Sequence, residues 1–132
     1  MIFLDTSYII GLIVKNDRYC DISKDIKLNL KHEAKMTNIT VLVEVLNSLN
    51  KYNFQGDVEE LVKYLLSCRI LHFLTFEDYQ IAINLFKYYN GSINFSDCTI
   101  LQSMQKHGIT RIASYDSDFD KVKGIQRIGG FN

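Results

Sequence analysis

The sequence predicts an α/β fold, a central and mainly parallel sheet with helices packed on both of its faces. Three observations predict it. Short apolar runs alternate along the chain with helix-like segments of about ten residues or more, the order that builds strand–helix–strand units. The run Ile2 to Leu4 is continuously apolar, as a strand buried on both faces is. The chain has 132 residues, 47% of them hydrophobic, which is enough for a substantial core and implies one domain over residues 1–132.

Taken in order, Ile2 to Leu4 reads as the first strand. Asp5 ends it, and Thr6 or Ser7 caps a helix carrying Tyr8, Ile9, Ile10, Leu12 and Ile13. Residues Tyr19 to Lys35 predict a second helix with two opposed stripes. Ile22, Ile26, Leu30 and Ala34 form one, and Lys24, Lys27, Lys31 and Lys35 the other. Met36 to Ile39 reads as a brief strand. Thr40 then opens a helix with Val41, Leu42, Val45, Leu46 and Leu49 as its apolar stripe. Glu44 lies beside that stripe, in the sector of Thr40, Asn47 and Lys51.

Asn53 to Gly56 breaks the chain, and Asp57 with Glu60 starts a helix through Leu66. Arg69 to Leu74 is the next strand. Thr75 and Asp78 make a capping box for a helix ending at Asn90-Gly91. Asn94 or Ser96 caps a further helix that runs to about Lys106 and stops at His107-Gly108. Ile109 to Ala113 is a strand, and Ile125 to Ile128 a last edge strand before Gly129-Gly130. Proline is absent, so glycine and asparagine carry the punctuation.

Charge and cysteine content narrow the function. Fifteen basic residues balance fifteen acidic ones, so any nucleic-acid surface must be a local patch. Cys20, Cys68 and Cys98 are widely spaced, which suits reduced thiols in a cytosol better than a disulfide framework or a zinc site. The opening MIFLDTS has no basic segment ahead of an apolar one, so a signal peptide is not expected. No apolar run is long enough to span a membrane. A soluble, cytoplasmic protein with no membrane partner is expected.

The chemistry lies in the acids. Asp97 follows the helical spacing of Ile100, Leu101 and Met104, which puts a carboxylate in line with the core stripe. Burying an unpaired carboxylate is costly, whereas an acid at a first helical turn is ordinary. Asp5 and Asp116 each follow an apolar strand at the end where open α/β sheets bind ligands, and the helix start at Asp97 points there too. Acids gathered in one place repel, and a divalent cation relieves them. Oxygen ligands without His or Cys select a hard ion, Mg2+ or Mn2+.

Other readings of the same residues are simpler. Asp5 could act only as an N-cap, and Glu44 could sit on a solvated helix side. Asp116, Asp118 and Asp120 mimic the opening of a calcium loop, but Lys121 occupies the required glycine position and Arg127 that of the bidentate Glu. Ser7 stands where a haloacid-dehalogenase phosphatase needs its second Asp. Cys98 and His107 lie on different turns of one helix, a poor nucleophile–base pair. His32, His72 and His107 show no ligand spacing and are expected at the surface or half-buried.

FLDTS at the N-terminus, the Glu of TVLVEVLNSL, the Asp of NFSDCTIL and the segment SYDSDF together resemble the four acidic motifs of PIN domains, in order and over essentially the whole chain. The resemblance is greatest to the short PIN proteins that act as VapC-type toxins of prokaryotic toxin–antitoxin pairs. It implies a three-layer α/β/α PIN-like fold and an Mg2+- or Mn2+-dependent ribonuclease acting on RNA. It also implies an antitoxin partner and a homodimer. By carry-over, Asp5, Glu44, Asp97 and Asp116 form the catalytic acidic pocket. Asp5, Asp97 and Asp116 are the main metal ligands, and Glu44 ligates a second ion or orients the attacking water. Asp118 matches an additional acid of many members, equally a metal ligand or a turn cap. Thr6 and Ser114 are expected to steady the carboxylates. An RNA-processing nuclease without an antitoxin and a non-catalytic PIN-like interaction module are the competing functions. For RNA contacts, Lys121 and Lys123 are the expected cations. The Lys24, Lys27, Lys31 and Lys35 stripe, with Lys15 and Arg18 just before it, is the other candidate, its lysines expected to be mostly a solvated face.

Overall fold

The computed structural model describes residues 1–129, so Gly130 of the expected closing turn lies outside the described residues. Among the described residues five strands form one parallel sheet: β1 (Ile2–Leu4), β2 (Lys35–Asn38), β3 (Ile70–His72), β4 (Arg111–Ala113) and β5 (Gln126–Ile128), in the order β3-β2-β1-β4-β5. Strand β1 is central, and Ile2, Phe3 and Leu4 are wholly buried, as their continuous hydrophobicity requires.

The helices are α1 (Thr6–Ile13), α2 (Cys20–Asn29), α3 (Ile39–Ser48), α4 (Val58–Leu66), α5 (Phe76–Tyr88) and α6 (Phe95–Lys106). The chain winds outward from β1 to β3 through α1–α4, then returns through α5 and α6 to β4. With right-handed crossovers, that reversal puts the two helix groups on opposite faces. The result is a three-layer α/β/α fold whose topological switch lies between β1 and β4. The core lies between the layers, with Phe3, Tyr8, Ile9, Met36, Ile100, Met104, Ile112 and Phe119 among its fully buried side chains.

The expected elements are present, with shifted ends. The second helix is the largest departure: it stops at Asn29, not Lys35. Ala34 and Lys35 are drawn into the sheet, where the carbonyl of Ala34 accepts from the Ile2 amide at 3.1 Å and Lys35 pairs with Ile2. Lys35 Nζ then closes the helix end by donating to the carbonyls of Leu30 and Glu33, at 3.0 and 2.9 Å. Asn38, not Thr40, caps α3, and Asp5 itself caps α1. Thr75 and Asp78 form both bonds of the expected capping box.

Close packing at one glycine ties α1 to the loop after β4. A Cβ on Gly11 would lie 2.4 Å from Ser23 Oγ and 3.3 Å from the Tyr115 ring. Ser23 Oγ is hydrogen-bonded to Tyr115 Oη at 2.6 Å, and Tyr115 stacks on Tyr19 with centroids 4.0 Å apart. Gly11→Ala is expected to displace that pair and cost about 1–3 kcal/mol, read as a lowered urea midpoint at unchanged slope.

Candidate metal centre

Each acid reaches the site by its own local device. Asp5 follows β1 directly and caps α1, with Oδ1 accepting from the Thr6 amide at 2.7 Å. Its Oδ2 accepts from Ser114 Oγ at 2.6 Å and Ser7 Oγ at 3.1 Å. Asp116 follows β4 and caps a 3-10 turn over Ser117–Lys121, accepting from the Asp118 amide at 2.9 Å. The Asp116 amide donates to Ser114 Oγ at 3.0 Å, so one buried hydroxyl joins the two strand ends at the switch point. Glu44 comes from α3, half-buried, and accepts from Thr6 Oγ1 at 3.3 Å. Asp97 sits in the first turn of α6 behind its cap Asn94, whose Oδ1 accepts from the Asp97 amide at 2.8 Å.

Asp5, Glu44, Asp97 and Asp116 line one cavity of about 330 Å3 together with Thr6, Ser7, Asp17, Tyr19, Tyr52 and Asn94. Asp5 and Asp97 are only 5% and 6% exposed. Burial pushes the Asp97 carboxyl far above its ordinary range, and the neighbouring carboxylates of Asp116, Asp5 and Glu44 push the same way. Burial also raises Asp5, against the lowering bonds from Ser114, Thr6 and Ser7. Glu44 is raised by burial and then by the charge of Asp5. Protons or a cation must therefore offset the gathered charge.

The donor set fits a hard cation. Asp97 Oδ2 is enclosed with no hydrogen-bond partner among the described residues. One carboxylate oxygen from each of Asp97, Asp116 and Asp118 lies within 4.8 Å of the others, a spread one oxygen-coordinated divalent ion can bridge. Asp5 stands outside that trio, its oxygens engaged by Ser7, Thr6 and Ser114. Asp118 also pairs with Lys121 at 2.8 Å.

The structure thus brings Asp5, Glu44, Asp97 and Asp116 into one cavity, sets Asp118 at its margin, and lays Thr6 and Ser114 against the carboxylates. The lysines are placed differently. Lys121 Nζ is held between Asp118 and the carbonyl of Ser92. Lys123 lines a cavity with Gly108, Ile109 and Thr110, at the opposite, amino-terminal edge of the sheet. Lys24, Lys27, Lys31 and Lys35 line another cavity at that far edge, about 650 Å3, with Arg69. Ser7 is the polar residue whose part the sequence understated: its hydroxyl touches Asp5 and accepts from the Tyr115 amide at 2.9 Å. A second hydroxyl directly after Thr6 was its only signal. Among the described residues no helix is long and apolar enough to cross a membrane, and all three cysteines are free thiols.

Comparison with known proteins agrees with this geometry. No curated protein sequence matches the chain significantly. Among solved structures, the Mycobacterium tuberculosis toxin VapC20, which cleaves the sarcin–ricin loop, superposes with a TM-score of 0.78 at 24% identity, over 92% of this chain and 94% of that one. A toxin–antitoxin complex from Klebsiella pneumoniae gives 0.71 at 16%, over 96% of each chain. VapBC2 from Rickettsia felis, bound to a DNA fragment from its promoter, gives 0.69 at 16%, over 97% and 98%. At these identities the likeness is one of fold. The family model of the PIN domain matches residues 2–125. With that match spanning nearly the whole chain and the acids gathered at the switch point, this protein belongs to the PIN domain family.

Proposed function

We propose that the protein is a metal-dependent endoribonuclease and the toxin of a type II toxin–antitoxin pair. The observation that carries the nuclease reading is the buried carboxylate of Asp97, unpartnered at Oδ2, facing a cavity of further acids. Asp97 and Asp116, with Asp118 at the margin, would hold Mg2+ or Mn2+, with Asp5 fixed behind them by Ser114 and Ser7. When bound, such an ion polarises the scissile phosphate and lowers the pKa of a bound water. Glu44, half-buried with a raised carboxyl, is suited to orient the attacking water and accept its proton. Thr6 holds Glu44 in place, and Ser114 keeps the Asp5 and Asp116 segments in register.

The toxin reading is supported by fold likeness to VapC20 and to two toxin–antitoxin assemblies. An antitoxin partner follows from that reading. A homodimer is supported by an exposed apolar row on α5, where Phe76, Tyr79, Ile83 and Phe86 share one face beside Phe95 of α6.

Thermal shift with Mn2+ tests the metal-dependent part. Saturating ion is expected to raise the midpoint, with about 2.7 kcal/mol of stabilisation at one hundred times Kd, and total RNA should be cut only with the ion present. A protein that neither shifts with Mn2+ nor cuts RNA would be an interaction module instead.

A further inference from the structure

The acidic cavity poses a problem for a polyanionic substrate. Its lining includes Asp5, Asp17, Glu44, Asp97 and Asp116, and no cationic residue among the described residues. One divalent ion offsets only part of that charge. RNA therefore needs cations just outside the cavity, and Lys121 and Lys123 do not meet the need. Lys121 is taken up by Asp118, and Lys123 lies at the other edge of the sheet.

Two other cations stand where they are needed. Among the described residues, Tyr19 and Tyr52 are the aromatic residues that line the acidic cavity, and each carries a cation over its ring. Arg18 Cζ lies 4.6 Å from the Tyr19 centroid, with Nη2 donating to Tyr19 Oη at 2.6 Å. Lys51 Nζ lies 5.4 Å from the Tyr52 centroid. Tyr19 is itself fixed, stacked on Tyr115 and donating its amide to Asp17 Oδ2 at 2.9 Å. Both cations are exposed, and neither forms an ion pair among the described residues. Their charge is available to a ligand, and the tyrosine faces limit where it points.

We propose that Arg18 and Lys51 bind the backbone phosphates of single-stranded RNA on either side of the scissile one, held at the mouth of the acidic cavity by Tyr19 and Tyr52. This rests on the ribonuclease reading and assigns the substrate contacts of that same site. Arg18 presents a planar fork of donors to a phosphate, and Lys51 a point charge.

Salt dependence of binding measures phosphate contacts directly. The parent is an Asp97→Asn variant that retains RNA uncut. Its affinity for a fluorescein-labelled single-stranded RNA is followed by anisotropy from about 50 to about 200 mM KCl at fixed Mg2+. Arg18→Ala and Lys51→Ala are each expected to flatten the log–log slope by about 0.7, which changes affinity about 2- to 3-fold across that range. Arg18→Lys should restore the slope, and Lys123→Ala should leave it unchanged. Slopes unaltered in both alanine variants would overturn the placement alone. A parent that binds no RNA would overturn the ribonuclease reading with it.

Discussion

Asp97→Asn is expected to abolish RNA cleavage, by about 10^2–10^3-fold or more, while making the metal-free protein more stable. Both effects follow from one buried carboxylate. Its proton is held more tightly in the folded protein than in the unfolded chain, where it titrates near 3.8. Between those two pKa values the native state binds the proton that the unfolded state has released. Stability of the metal-free protein therefore falls as pH rises from about 4 through the folded pKa. Asparagine removes that loss. The midpoint of the variant should match the wild type near pH 4 and exceed it by several degrees, for about 1 kcal/mol or more, near pH 8. Adding Mn2+ should reverse the order, because the wild type gains more from the ion than the variant, which keeps Asp116 and Asp118. Melting curves with and without Mn2+ at both pH values, with a gel-based cleavage assay, decide it. Full cleavage by the variant would remove Asp97 from the reaction.

Asp78→Ala is expected to be the most destabilising single change away from the site, costing roughly 3–5 kcal/mol. Asp78 is buried and accepts from the Thr75 amide at 2.9 Å, Gln102 Nε2 at 2.8 Å and Lys106 Nζ at 3.0 Å, and pairs with His72 Nε2 at 2.9 Å. Burial alone would raise its carboxyl, but the bonds from Thr75, Lys106 and His72 prevail and hold it far below the usual range. Its stabilisation is thus complete above the ordinary carboxylate pKa and is lost as pH falls below about 4. Alanine would leave His72 and Gln102 enclosed without their acceptor and break the capping box of α5. Urea unfolding at pH 7 measures the loss, and Asp78→Asn, which keeps the shape and one acceptor, should lose less. A midpoint within error of wild type would show that water replaces the network at no cost.

That network explains what the sequence conceals. Thr75 and Asp78 were legible as a capping box because their partners lie three residues apart. His72 was expected at the surface or half-buried, yet it is 7% exposed, between Asp78 and Ser103 Oγ at 2.7 Å. Ser103 accepts from Asn38, whose side chain also caps α3, so the hydrogen-bonded chain links β2, β3, α3, α5 and α6. No spacing along the sequence announces contacts among residues 38, 72, 78 and 103. Strand β1 was readable because its hydrophobicity is local and continuous. The end of α2 was not, since Leu30, Lys31 and Glu33 are good helix formers and only pairing with β1 pulls Lys35 away. The acids at positions 5, 97 and 116 were placed correctly at one edge by strand ends and a helix start. Glu44 was left between site and solvent because periodicity gives a sector of α3 but not its neighbour, Thr6 of α1.

The adjacency of β1 and β4 has a consequence for synthesis. Asp5 and Ser114, joined by a 2.6 Å bond, are 109 residues apart. While the ribosome is still making the intervening helices, β1 has β2 on one side and nothing on the other. Neither Asp97 nor Asp116 yet exists to face Asp5. A nascent chain therefore cannot assemble the acidic cavity until β4 has emerged.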